Sequence, residues 1–297
     1  MPKTNAYRIL NGPADSAPAG ITLDRYGAWL VLAARMRVAD RVVEQWAEGA
    51  ASVLDPEGIV IKRLAERPMD SSSSVIGERS PPIVQVHEGD ASLEVHPDDG
   101  VQTGLFLDHR ETRWRARDFS AGHEVLNLFA YTCAFSVHAA LAGAERVTSV
   151  DVSQRSLSWG RRNMALSGLD PNRHRWFADD VLAHLRRPRG TYGLVILDPP
   201  VFGHGRRPFS LERDLVRLLR GAFSQLAPGG VLIFSTHHTG LTDPVLEAAC
   251  REAALGCQRT LDLIERRGLP EWDHPISGDP TPGDRGNYLR TLCLRVN

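Results

Sequence analysis

Three aspartates each follow a short run of apolar residues: Asp151 after Val147 to Val150, Asp179 after Trp176 and Phe177, and Asp198 after Leu194 to Leu197. Runs of that length read as buried strands, and in an open parallel sheet ligands sit beyond the carboxyl ends of the strands. A carboxylate at such a tip accepts hydrogen bonds from paired hydroxyls or from a ring amine. Asp198 also opens the pentapeptide Asp198-Pro199-Pro200-Val201-Phe202. Its two prolines hold the backbone extended and donate nothing, which leaves the Asp198 carboxylate and the adjoining carbonyls facing whatever fills the space. Phe202 adds an aromatic face for a flat ring, as extruded nucleobases require. Asp198, Pro199, Pro200 and Phe202 are therefore the candidate catalytic edge.

The elements that must position these groups follow from the pattern around them. Residues 125–128 read as a strand, 129–133 as the turn after it, 135–142 as a helix and 147–150 as the next strand, a βαβ unit closed by Asp151. The alternation continues with a helix over 153–167 capped by Ser153, a strand over 175–177 leading to Asp179 and Asp180, and a strand over 194–197. A helix over 211–226, stopped by Pro228-Gly229-Gly230, then feeds a strand over 231–234. Such alternation specifies a parallel sheet with helices on both faces. The pair Asp179-Asp180 has two readings, a ligand contact or a helix cap. The turn Phe129-Ala130-Tyr131-Thr132-Cys133-Ala134 contains no glycine, whereas a dinucleotide site wants Gly-x-Gly-x-x-Gly to admit a pyrophosphate. S-adenosylmethionine fits the set better, with Asp151 taking the ribose, Asp179 the adenine amine, and the loop after the first strand the methionine end.

Composition bounds the rest. At 297 residues, 42% hydrophobic and 24% charged, the chain has room for one large core or two moderate ones. A net charge of -1 and a pI of about 6.8 advertise no global basic field. The positive charge is nevertheless almost all arginine, with lysine only at Lys3 and Lys62, and arginine offers planar paired donors to phosphate. Cys133, Cys250, Cys257 and Cys293 lack metal-ligand spacing, so no metal is expected. Without an apolar run near the roughly 18 residues that span a bilayer, and without a signal-peptide core in residues 1–11, the expected location is the cytoplasm, with no membrane partner.

Residues 1–96 read as a small α+β domain. Strand patterns at 21–25 and 28–33 flank a Tyr26-Gly27 turn, and residues 40–50 have helical spacing with Asp40 as the cap and Val42, Val43 and Trp46 on one face. Strand patterns return at 58–63, 83–86 and 91–95, while residues 67–82, rich in Ser, Pro and Arg, read as a mobile loop. Residues 97–297 form the second domain. At its start Gln102 and Thr103 could close over a ligand and Asp108 with Arg110 could fix it; an interdomain connection leading into a capped helix explains the same letters.

Four stretches carry a family resemblance: Gln102-Thr103-Gly104-Leu105-Phe106-Leu107-Asp108-His109-Arg110, Leu126-Asn127-Leu128-Phe129-Ala130-Tyr131-Thr132, Val150-Asp151-Val152-Ser153 and Asp198-Pro199-Pro200-Val201-Phe202. They resemble the motifs of the bacterial large-subunit ribosomal RNA methyltransferases of types I and K. Pro18-Ala19-Gly20-Ile21-Thr22-Leu23-Asp24-Arg25-Tyr26-Gly27 resembles the central domain of type I, and Trp272-Asp273-His274-Pro275 its late segment, so the likeness runs from about Tyr7 to the end. The resemblance implies an α/β fold, a Rossmann-like class I methyltransferase sheet preceded by a small α+β domain. It implies S-adenosylmethionine contacts at Gln102, Thr103, Asp108, Arg110, Asn127, Phe129, Ala130, Tyr131, Asp151, Asp179 and Asp198, and RNA, large-subunit ribosomal RNA above all, as the partner. The oligomeric state stays open, a homodimer included.

Three departures from the family pattern matter. Cys133 stands where the family has glycine, narrowing the room for backbone approach. The PUA module that type I carries at its amino terminus does not precede residue 7, so RNA capture is expected from the first domain. Type I enzymes methylate cytosine carbon five and carry a cysteine after the fifth strand, where this chain has Phe234-Ser235-Thr236-His237-His238. That carbon needs a thiolate to add beside it first, whereas guanine nitrogen seven, the type K target, has a free lone pair and needs only orientation. A base nitrogen, guanine N7 in particular, is the expected acceptor, against the alternatives of cytosine carbon five or a small molecule or protein. His237 and His238 could act as a base at the rim or stand there without a catalytic part. The late loop over 268–286 is expected to cover the substrate entrance.

Overall fold

A computed structural model describes residues 3–65, 70–186, 191–202, 209–276 and 287–297. The chain divides into two compact units, Met1–Arg110 with Pro270–Gly286 and Glu111–Leu269 with Asn287–Asn297.

In the first unit, β1 (Ala6–Asn11), β2 (Ile21–Tyr26), β3 (Trp29–Arg35), β4 (Gly58–Leu64) and β5 (Ser72–Gly77) form one sheet in that order. Only β3 and β4 run parallel. A parallel pair needs a crossover, which α1 (Asp40–Leu54) supplies while burying Val43 and Ala47 against Leu23, Leu30, Leu32 and Ile59. Asp40 is the first helical residue rather than the cap, and its carboxylate instead meets Arg63 at 3.2 Å. The loop expected over 67–82 is also corrected: Ser72 to Gly77 pairs antiparallel with β4. Ladder bonds and the packing of Ile76 on the core hold that edge strand despite serines of poor strand propensity; residues 67–69 lie outside the described residues. A hairpin of β6 (Val84–Glu88) and β7 (Ala91–Val95) completes the unit's strands.

After α2 (Arg110–Arg117), the second unit runs β8 (Glu124–Leu128), α3 (Ala134–Leu141), β9 (Arg146–Asp151), α4 (Gln154–Leu166), β10 (Arg175–Ala178), α5 (Val181–Leu185), β11 (Tyr192–Leu197), α6 (Leu211–Gln225), β12 (Leu226–Thr236), α7 (Asp243–Leu255), β13 (Leu261–Arg267) and β14 (Arg290–Val296). The sheet order is β10-β9-β8-β11-β12-β14-β13, with β14 antiparallel to both neighbours and the other pairs parallel. From β8 the chain winds outward through β9 and β10, then returns to β11 on the other side. The gap between those two directions is the topological switch point, where such sheets bind ligands. Apolar runs such as Leu194 to Leu197 are buried throughout because helices cover both faces. Leu211, Leu215, Leu218, Leu219, Ala222 and Phe223 make the buried stripe of α6. Pro228-Gly229-Gly230 does not stop that helix. It ends at Gln225, and β12 starts at Leu226 with residues 227–230 bulging between its pairings with Tyr192 and Leu194. Among the described residues no helix is long and apolar enough to cross a membrane.

Candidate active site

Register decides whether the acidic tips meet. Ala178 lies opposite Asp151, Leu128 opposite both Val150 and Leu197, and Leu197 opposite Phe234. The next residues, Asp179, Phe129 and Asp198, therefore leave the sheet along one rim together with Asp151, while β12 runs on to Thr236 paired with β14. Phe129 stands at the switch point.

The loop after β8 is strained where it turns onto that rim. Phe129 (φ 56°), Tyr131 (φ 47°) and Cys133 (φ 62°) all occupy the left-handed region, at about 1–2 kcal/mol for each non-glycine residue. The neighbours hold them there: Ala130 N donates to Val150 O at 3.0 Å, Cys133 N to Ala130 O at 2.7 Å, and Tyr131 N to the Asp151 carboxylate at 2.8 Å. Strain of this kind persists only where surroundings over-determine it, and it concentrates at functional sites. Behind the loop, buried Asn127 donates to Ser136 Oγ at 2.8 Å, and Ser136 shares a 2.9 Å hydrogen bond with Ser149. That polar chain ties β8, α3 and β9 at one level.

Asp151 takes one backbone N–H on each oxygen, from Tyr131 and from Ser153, both at 2.8 Å. Each carboxylate oxygen has a second lone pair for another donor. Ser153 caps α4 by accepting from Ser156 N. The two readings of the next acidic pair separate cleanly. Asp180 caps α5, accepting from Ala183 N at 2.8 Å, while the Asp179 carboxylate lies 3.7 Å from buried His184, whose ring packs on Phe177 at 5.0 Å. His184 carried no sequence signal, because only the turn of α5 brings it back beside Asp179.

At the end of β11 Asp198 is half-buried, Pro199 buried and Pro200 exposed. Phe202 is 69% exposed and pairs with Ser210 across an isolated bridge, and Leu211 N donates to Val201 O at 3.1 Å. Asp214 anchors this return: it is buried, accepts from Ser210 N at 3.2 Å and pairs with Arg213 and Arg217. The hydrogen bond from Arg213, ahead of the others, holds its carboxyl below the usual range although burial opposes this. The sequence carried no clear signal for it, since Asp214 lies four residues after Ser210, one beyond the capping-box spacing, and the Ser210 side chain makes no cap hydrogen bond.

In the first unit the other candidate residues are placed as follows. Gln102 is exposed. Thr103 is buried and donates to the Tyr26 hydroxyl at 2.9 Å, while its carbonyl accepts from His96 N at 2.8 Å. Asp108 is buried in the single turn Leu107–His109. Arg110 donates to Ala6 O at 3.1 Å and to the Asp273 carboxylate, and stacks 4.0 Å over the Trp272 ring. Asp273 also meets His274 at 2.9 Å. The described part of the late loop, residues 270–276, is thus built into this unit around a buried ion pair, and residues 277–286 lie outside the described residues.

The thiols sit away from the rim's solvent side. Cys133, Cys250 and Cys293 are buried, and desolvation first of all pushes each up to about 12. Cys257 follows α7 at the opposite edge of the sheet, its Sγ 3.5 Å from Arg220 O. His237 stacks on Tyr288 with ring centroids 5.8 Å apart, and His238 accepts from Gly240 N at 3.2 Å while facing Glu212 at 3.5 Å.

Residues 34–283 match the family described as S-adenosylmethionine-dependent methyltransferase. The chain belongs to that family. S-adenosylmethionine is the cofactor that defines these enzymes, and the residues on the rim fit it: spare acceptor capacity on Asp151, an Asp179 relieved of capping by Asp180, and a backbone loop folded tightly against both strands. Among curated relatives, the "Ribosomal RNA large subunit methyltransferase K/L" of Pseudomonas putida (strain W619) is 37% identical over 245 residues, 78% of this chain and 33% of the relative. The protein of the same name from Pseudomonas aeruginosa is 36% identical over 250 residues, 79% of this chain and 34% of the relative. The methyltransferase chain therefore spans about a third of the length of the curated relatives it matches. Among solved structures, SMU.776 complexed with SAH superposes with a TM-score of 0.87 at 29% identity, covering 98% of this chain and 75% of that one. The SAM-dependent methyltransferase from Agrobacterium tumefaciens, at 22% identity and a TM-score of 0.69 over 98% of this chain and 89% of that one, shares the fold.

Proposed function

We propose that this methyltransferase acts on RNA, namely large-subunit ribosomal RNA in the cytoplasm, and that the acceptor is a base nitrogen, guanine N7 in particular. Support for the substrate class comes from the relatives whose names specify large-subunit ribosomal RNA. Support for nitrogen comes from one observation. Cys133, Cys250 and Cys293 are buried, with burial pushing their thiols up to about 12, Cys257 lies after α7 beside Arg220, and β12 ends in Ser235-Thr236 followed by His237-His238, so the tip of β12 offers no cysteine to add to cytosine.

In this reading Asp151 holds the ribose, Asp179 the adenine amine, and the loop of Phe129, Ala130 and Tyr131 the methionine end, with Asn127 bracing that loop from below. When bound, S-adenosylmethionine supplies an activated methyl group on a sulfonium sulfur. Asp198, Pro199 and Pro200 form a rigid edge that orients the base, and Phe202 offers its exposed face for stacking. Guanine N7 carries a lone pair and no proton, so the chain need not remove one.

Nucleoside mass spectrometry of ribosomal RNA from a strain lacking the protein tests this directly. Loss of 7-methylguanosine from large-subunit RNA, restored by the purified enzyme, is the expected result. Loss of 5-methylcytidine instead would overturn the nitrogen assignment, and unchanged ribosomal RNA would overturn the substrate class.

A further inference from the structure

We infer that His184 is a positioning residue for the cofactor: its imidazole fixes the Asp179 carboxylate so that one oxygen faces the exocyclic amine of adenine, and this sets the preference for adenine over an oxopurine. This rests on the assignment of Asp179 to the adenine amine above and deepens it.

Asp179 is pinned at its backbone. Its N–H donates to Asp151 O at 3.1 Å, which carries the pairing of β10 with β9 one bond further and sets the two rim aspartates on adjacent tips. The carboxylate caps nothing, because Asp180 takes that part by accepting from Ala183 N at 2.8 Å. A side chain on a fixed backbone still has three staggered χ1 wells. Only some of them turn the oxygens toward a ligand on the rim.

His184 removes that freedom. Its backbone N–H donates to Asp180 O at 2.8 Å, so the first turn of α5 carries the ring back over the end of β10. There the residue is buried against two side chains, Phe177, with ring centroids 5.0 Å apart, and Asp179, whose Oδ2 lies 3.7 Å from Nδ1. Residues two apart on a strand project to the same face, so the packing on Phe177 holds the imidazole where it meets Asp179.

The other inward positions of α5 are Val181 and Leu185, both in the apolar core. A third apolar side chain would fill the His184 position by packing alone. An imidazole instead brings a buried polar nitrogen, whose cost a carboxylate partner offsets. An ionised carboxylate only accepts, so the ring nitrogen turned to it carries the proton. With Oδ2 drawn to that N–H, Oδ1 is the oxygen left for an outside donor. The amine of adenine is such a donor, whereas the oxo group of hypoxanthine is an acceptor and meets the carboxylate with repulsion.

The test compares calorimetric affinities of the full-length protein for S-adenosylhomocysteine and for its deaminated analogue S-inosylhomocysteine. Because both ligands are measured on one preparation, partial loss of fold cancels in the ratio. His184→Phe keeps a ring against Phe177 and removes the nitrogen. It is expected to lower the adenosyl-over-inosyl affinity ratio by about three- to tenfold, the size of one hydrogen bond. His184→Asn, whose amide nitrogen reaches the place of Nδ1, should restore most of the ratio. In an Asp179→Asn background His184→Phe should change nothing further. An unchanged ratio in His184→Phe, no recovery in His184→Asn, or an equal loss in the Asp179→Asn background would overturn the inference while leaving the role of Asp179 intact. If Asp179→Asn by itself leaves the ratio at the wild-type value, the adenine assignment fails and this inference with it.

Discussion

The sulfur of Cys133 occupies the space that a side chain on Gly160 would need. A Cβ placed on Gly160 would lie 2.5 Å from Cys133 Sγ and 2.7 Å from its Cβ, with the Trp176 ring 3.2 Å away. Cysteine in a left-handed turn where glycine would suit the backbone is thus accommodated by a glycine in the middle of α4. The loop after β8 and α4 meet through that pair.

Gly160→Ala should therefore destabilise the protein by about 1–3 kcal/mol through overpacking, although alanine favours a helix interior by about 1 kcal/mol. In a Cys133→Gly background the same change should cost little or become stabilising. A double-mutant cycle by chemical denaturation measures the coupling; simple additivity would show that the contact does not control the site.

Asp179 and Asp180 should separate into two phenotypes. Asp180→Ala removes the cap of α5 and should cost about 1 kcal/mol of stability with cofactor affinity nearly kept. Asp179→Asn should preserve stability and weaken S-adenosylmethionine binding at least tenfold. Calorimetry and thermal denaturation on both variants check this, and equal effects on affinity would contradict the assignment of roles.

The Arg110 and Asp273 pair predicts a pH response. Burial by itself raises the Asp273 carboxyl, but hydrogen bonds and charge from His274 and Arg110 outweigh it and leave the group below its ordinary value. A carboxyl depressed in the folded state contributes stability that is complete above its unfolded value, about 3.9, and is lost as pH falls through the folded one. Wild-type protein should therefore lose stability below about pH 4 more steeply than Asp273→Asn, which should already be weaker at neutral pH. Arg110→Ala, leaving the buried carboxylate with only His274 and the Arg8 N–H as partners, should cost up to about 3 kcal/mol. Denaturation curves between pH 3 and pH 7 give both comparisons.

Raised thiol pKa values have a direct chemical signature. At pH 8 a brief exposure of folded protein to iodoacetamide should leave Cys133, Cys250 and Cys293 unmodified by mass spectrometry, because the thiolate is scarce and shielded. RNA carrying 5-fluorocytidine should form no stable covalent adduct with the enzyme. An adduct at any cysteine would reopen the cytosine reading.

Much of the second unit could be read from local pattern, because burial on both faces of a parallel sheet writes itself as continuous apolar runs and the tips follow immediately. Asp151, Asp179 and Asp198 were placed at strand ends by that logic, and the register aligns them on one rim. Ser72 to Gly77 carries no strand pattern, because an edge strand held by backbone bonds needs little from its side chains.

What the amino-acid order determined alone was periodicity, hence the elements, the parallel α/β class and the acidic tips, since these depend on residues two to four apart. Tertiary structure alone decided which acid caps α5 and which meets His184 instead, that Arg110 clamps Asp273 across 163 positions, and that Gly160 makes room for Cys133. Those outcomes depend on which surfaces meet in space, and no local spacing encodes a contact between segments that only the folded core brings together.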